Sequence, residues 1–169
     1  NIVLMDIELG EGPNGIEAGL RIKEENPGVG IVLLSSHKDK EYISAIPAGR
    51  AGGWSYLLKQ SVNDLGALTR ALEGAAAGLM VLDPQLMAQM RPRPSTKLEG
   101  LTQRQREVLE LMVQGYSNAA IAEKLTLGEK SVENYINAIY QRLLISREEP
   151  IHPRVKAVLV YLEESRSKL

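Results

Sequence analysis

The chain has 169 residues, 44% of them hydrophobic, with 20 basic and 21 acidic side chains and a formal net charge of −1. Such a chain holds one large domain or two small ones, and its composition is ordinary for a globular protein. It contains no cysteine, which excludes disulfides and thiolate metal sites, and no apolar run approaches the roughly 18 to 20 residues that span a bilayer. No secretory signal precedes Asp6, so a cytoplasmic location without membrane association is expected. The net charge hides an asymmetry: residues 1–90 carry 7 basic and 11 acidic groups (−4), whereas residues 91–169 carry 13 and 10 (+3). Two domains are therefore expected, and only the second has the charge balance suited to nucleic acid.

Residues 1–80 alternate short apolar runs with helical patterns, the signature of βα units on a parallel sheet. Strands are predicted at Ile2–Met5, Ile31–Leu34 and Trp54–Leu58, and helices at Ile16–Glu25, Lys40–Ala48 and Val62–Ala77. Between the first strand and first helix, Gly10–Gly15 is rich in turn residues. Open α/β sheets collect their chemistry beyond the carboxyl ends of their strands. Three polar residues fall there: Asp6 after IVLM, Ser35 after IVLL and Lys59 after SYLL. Taken singly, each has a structural explanation as a turn former, a helix cap or a solvated charge. In this order after three strands they suit the acceptance of a phosphoryl group, with Asp6 as the nucleophile, Lys59 pairing with the added charge, and the Ser35 hydroxyl hydrogen-bonding a phosphoryl oxygen. Trp54, beside two glycines, is either an anchor for its loop or an exposed interaction residue.

Residues 81–100 read as a linker, with one short helix over Val81–Met90 and the proline- and charge-rich tether RPRPSTK. From Leu101 to Leu144 three helix signals follow with tight joints. Thr102 caps the first with Gln105 in capping-box register, Val108, Leu109 and Met112 form its stripe, and Gly115 stops it. Ser117 caps a short second helix containing Ile121 and Leu125. In the third, Val132, Ile136, Ile139 and Leu143 form one buried stripe. The opposite face holds Lys130, Glu133, Asn134, Asn137 and Gln141, side chains able to reach base edges or phosphates from a major groove. A generic helical bundle has similar stripes, but the joints favour a helix-turn-helix. A last helix is predicted at Val155–Glu164, its stripe serving a dimer or internal packing equally well. His37 and His152 lack a second ligand at metal spacing and read as surface residues.

IVLMDIELGEGPNGIEAG, IVLLSS and GWSYLLK resemble the receiver domain of response regulators, and LTQRQREVLELMVQG, YSNAAIAEKL and SVENYINAIYQRL resemble the LuxR-type helix-turn-helix. Together the layout looks like the NarL/FixJ class of two-component transcription regulators. The resemblance implies a partial receiver over 1–80, with a flavodoxin-like doubly wound parallel sheet, then a linker and an all-α DNA-binding domain of four helices over 101–169. It implies Asp6 as the phosphorylation site, Ser35 as switch hydroxyl, Tyr56 as switch ring and Lys59 as phosphate-binding ammonium. Mg²⁺ is implied at Asp6 and the backbone carbonyl of Glu8, and DNA contact at Lys130, Ser131, Glu133, Asn134, Asn137 and Gln141. A sensor histidine kinase, duplex promoter DNA and, in the active form, a second copy are the implied partners.

The sequence departs from the pattern in four places. RAGGWS is longer than the usual spacing before the last strand; Glu133 and Asn137 stand where basic residues are usual, and Tyr135 where histidine is common. The sequence also opens at the family's third strand, without the acidic pair that ligates Mg²⁺, so it is expected to be part of a longer chain. The leading expectation is a phosphorylation-controlled DNA-binding regulator rather than an enzyme. The alternatives are a degenerate receiver that binds DNA independently of phosphate and a protein-interaction adaptor. A hydrolase or phosphatase using Asp6 is disfavoured, because no GxSxG or P-loop pattern occurs.

Overall fold

The computed structural model describes residues 1–36, 45–88, 97–146 and 150–165. The chain divides into two compact units, Asn1–Met87 and Ala88–Leu169. In the first, strands β1 (Ile2–Asp6), β2 (Gly30–Ser35), β3 (Trp54–Leu58) and β4 (Val81–Leu82) form a parallel sheet in the order β1-β2-β3-β4. Helix α1 (Gly15–Glu25) starts at a capping box: the Asn14 side chain accepts from the backbone N–H groups of Ile16 and Glu17, both at 3.0 Å, and Glu17 accepts from the Asn14 N–H at 3.2 Å. Helix α2 (Leu65–Ala76) starts at Asp64, which accepts from Gly66 and Ala67.

Strand alternation sorts the core into two layers. Val32 and Leu57 face Ala67, Ala71 and Ala75 of α2. Ile31 and Trp54, paired in register, face α1, where a Cβ on Gly19 would stand 2.5 Å from the Trp54 ring. Small residues on both helices thus let them sit close to a sheet of large ones. Trp54 is fully buried, as an anchor requires, and the alternative of an exposed interaction residue is overturned.

At the sheet's edge β1 hydrogen-bonds, among the described residues, to β2 alone. Its inward backbone groups come from odd positions: the Asn1 carbonyl accepts from Gly30 and the Ile7 N–H donates to the Leu34 carbonyl, each at 3.0 Å. β3 is buried throughout, but on β1 Ile2 is 38% and Leu4 48% exposed.

Three expected elements change. Most of Lys40–Ala48 lies outside the described residues, and its last residue belongs to a 3-10 turn, Ala48–Arg50, behind Pro47, so no α-helix ends there. The helix expected from Val62 begins at Leu65, because the Asp64 cap sets the start and a 3-10 turn fills Lys59–Asn63. Val81–Met90 is not one helix: Val81–Leu82 is β4, followed by the single-turn helix α3 (Pro84–Met87). Residues 81–87 therefore belong with the first unit, because β4 pairs with β3 and Leu86 is buried.

The second unit holds a 3-10 turn (Lys97–Gly100) and helices α4 (Gln103–Val113), α5 (Asn118–Leu125), α6 (Glu129–Arg142) and α7 (Pro153–Glu164). Leu98 in the 3-10 turn is buried and the Lys97 N–H donates to Glu164, so the end of the expected linker packs on this unit. The rest of RPRPSTK lies outside the described residues. The core of the unit joins Leu101, Val108, Leu109 and Met112 to Ile121, Val132, Ile139, Val155 and Val158. No helix among the described residues is long and apolar enough to cross a membrane.

Candidate functional site

The sheet register brings the three polar strand ends together. Asp6 closes β1 opposite Leu34, Ser35 closes β2 opposite Leu58, and Lys59 follows Leu58 directly. The Lys59 ammonium forms an ion pair with Asp6 Oδ2, both side chains being partly open to solvent. The Glu8 N–H donates to Asp6 Oδ1 at 3.2 Å. The Asp6 carboxyl is held below its usual range, chiefly by the hydrogen bond from Lys59 and against the opposing pull of desolvation. It is thus a carboxylate, the form a nucleophile requires. Ser35 and Tyr56 are buried, so the expected switch ring lies inside the sheet's packing rather than at the surface.

Two further residues, which no sequence motif singles out, shape this end of the sheet. Gly15 donates its N–H to the Ile7 carbonyl at 2.8 Å, and any Cβ there would stand 2.1 Å from the Asp6 carbonyl oxygen. Only glycine lets α1 begin that close to Asp6. Asp83, fully buried, accepts from the Leu58 N–H at 2.9 Å and the Gln85 N–H at 2.7 Å, fastening the residue before Lys59. The approach of Gly15 to Asp6 and the bond from Leu58 to Asp83 join segments separated in sequence, so no local pattern records them.

Among the described residues, this end offers a Mg²⁺ ion few ligands. A hard cation of this size needs several oxygens in near-octahedral array, and here one carboxylate already engaged by Lys59 stands with the backbone of exposed Glu8. Among the described residues no group of three His, Cys, Asp or Glu could hold a metal ion.

In the second unit the local signals fold as their chemistry dictates. Thr102 and Gln105 form the capping box of α4, the Ser117 side chain accepts from Ala120, and Gly115 takes a positive φ of 83° to end the first turn between helices. α6 buries Val132, Ile136 and Ile139, and Leu143 just past its end is buried with them. Lys130, Ser131, Glu133, Asn134, Asn137 and Gln141 lie on its outer side, with Lys130 and Glu133 well open to solvent. Lys130 pairs with Glu133 at 2.8 Å, one turn apart, and that partner raises its pKa. The pair weakens the helix's electrostatic appeal to a phosphate.

Arg154, in the first turn of α7, carries no motif of its own in the sequence although it follows a His-Pro start signal. Its guanidinium donates to the Tyr116 carbonyl and to Asn118 Oδ1, tying α7 to the start of α5, and burial lowers its pKa. His152 is exposed, as expected of a surface residue, and its Nδ1 accepts the Arg154 N–H at 3.1 Å as the cap of α7. His37 lies outside the described residues.

Among the described residues, a parallel sheet with a paired carboxylate and ammonium at its strand ends is thus followed by a helical unit that exposes the polar side of its third helix. Residues 99–151 match the family described as bacterial regulatory proteins, luxR family. The chain is similar to the transcriptional regulatory protein DegU of Brevibacillus brevis, 32% identical over 86% of this chain and 69% of DegU. It is also 33% identical to the response regulator VraR of Staphylococcus aureus (85% and 68% covered). To the DNA-binding transcriptional activator DevR/DosR of Mycobacterium tuberculosis it is 30% identical (99% and 75% covered). The chain belongs to the response regulators of the NarL/FixJ class, and carries a LuxR-type DNA-binding domain rather than an enzyme's active site.

Proposed function

We propose that phosphoryl transfer to Asp6 controls sequence-specific binding of this cytoplasmic regulator to promoter DNA. The donor is a sensor histidine kinase. A carboxylate oxygen of Asp6 attacks the phosphorus, the phosphorus–nitrogen bond of the donor phosphohistidine breaks, and an aspartyl phosphate results. The Lys59 ammonium then passes from the carboxylate to the new phosphoryl oxygens, and the Ser35 hydroxyl donates to one of them. Tyr56 is the ring whose packing responds, and the active form is a homodimer. On DNA, the amides of Asn134, Asn137 and Gln141 read base edges, Ser131 and Lys130 meet the backbone, and Glu133 accepts from a cytosine amine. The observation that carries this reading is the Asp6–Lys59 pair at the ends of parallel strands in one sheet. No step is assigned to Mg²⁺, whose ligands Asp6 and Glu8 are too few.

Incubation with acetyl phosphate followed by intact mass measurement tests it. The expected result is one added phosphoryl group, absent in Asp6→Ala, with tighter DNA binding by the labelled chain; equal uptake by both proteins removes Asp6 as acceptor. A second reading, a degenerate first unit beside a phosphate-independent DNA-binding protein or adaptor, is favoured by the pairing of Lys130 with Glu133 on the outer face of α6. It predicts no uptake by either protein and DNA affinity, or its absence, unchanged by the donor.

A further inference from the structure

A cavity of about 510 Å³ opens beside the exposed face of α6, between the first turns of α5 and α7, lined among others by Asn118, Lys130, Glu133, Asn137, His152 and Arg154. We propose that this cavity seats a phosphate of the DNA backbone, held by His152 Nε2–H and Lys130 against a wall built by Arg154. The proposal rests on the reading that α6 lies in the major groove.

Three observations favour an anion. Lys130 and Glu133 offset each other as a pair at 2.8 Å, which leaves the lining the charge of Arg154, whose guanidinium donates to the uncharged Tyr116 carbonyl and Asn118 Oδ1. Asn118 is the first residue of α5 and His152 the cap of α7, so two helix amino ends, each with partial positive charge, border the same space. Because His152 Nδ1 accepts the Arg154 N–H at 3.1 Å, the neutral ring carries its proton on Nε2, which is therefore a donor. Among anions, a duplex phosphate fits by position. Lys130, Glu133 and Asn137 belong to both the cavity and the outer face of α6, so a groove-docked helix brings one strand's backbone alongside.

His152→Asn separates the two jobs of this side chain, since asparagine caps a helix through its oxygen but lacks the Nε2 donor. Binding is measured by fluorescence anisotropy on a labelled mixed-sequence duplex and on a scrambled copy. The expected result is a wild-type melting temperature with roughly tenfold weaker binding to both duplexes, because a hydrogen bond to a charged phosphate is sequence-blind. His152→Ala is expected to lower the melting temperature as well. Replacing phosphates one at a time by methylphosphonate should weaken the wild type at one position where His152→Asn loses nothing further. Wild-type affinity in a normally folded His152→Asn overturns the proposal. If Asn134→Ala weakens binding while His152→Asn does not, only the cavity fails; if neither does, the groove reading of α6 falls with it. Competition by inorganic phosphate beyond that of chloride at equal ionic strength, with no methylphosphonate effect, makes the cavity a free-anion site and also overturns the backbone assignment.

Discussion

At the scale of single residues, Asp83 fastens the first unit from within. Its two carboxylate oxygens satisfy the N–H groups of Leu58 and Gln85, and the side chain is 1% exposed. Asp83→Ala leaves both donors without these acceptors and is expected to cost about 3 kcal/mol in urea denaturation. Because Leu58 adjoins Lys59, the same change should loosen the Lys59–Asp6 pair and let the Asp6 carboxyl return toward its ordinary range, measurable by NMR titration; an unmoved Asp6 means that Lys59 is held by other means. Asp83→Asn keeps one acceptor and should cost less. The bonds that join Asp83 to Leu58 and Arg154 to Tyr116 were illegible in the sequence for one reason: they span 25 and 38 residues, and a long-range hydrogen bond imposes no local pattern. Asp6, Ser35 and Lys59 were legible because strand ends repeat a local rule, an apolar run followed by one polar residue.

At the scale of elements, the helices of the second unit are the best specified because most of them write their start into adjacent residues. Thr102→Ala removes the side-chain half of the α4 capping box and is expected to cost about 1 kcal/mol, read as an earlier urea midpoint for the second unit at unchanged slope. No change in midpoint would mean that packing alone sets the end of α4. The same local logic explains where the sequence misled. Val62 continues an apolar pattern into Leu65, and the stronger Asp64 cap between them decides the boundary. Val81–Leu82 is too short to show a period of two, and only its pairing with β3 makes it a strand. On α6 the periodicity was unambiguous, with four apolar positions in one stripe and all of them buried.

At the scale of the whole molecule, the charge division between residues 1–90 (−4) and 91–169 (+3) parallels a division of labour: an acidic unit with the carboxylate–ammonium pair and a basic unit with the polar helix. Each has its own buried core. The two differ in closure, for the helical unit hides its apolar stripes while the sheet ends at β1 with Ile2 and Leu4 half uncovered. Since odd positions of β1 turn their backbone toward β2, the amides of Val3 and Met5 are locked in the ladder and that of Leu4 points away. In deuterated solvent Leu4 should trade its proton at least about tenfold faster than its two neighbours. A Leu4 amide that exchanges as slowly as theirs would reveal that something else, a fifth strand from a longer chain or from a second molecule, has zipped onto that flank.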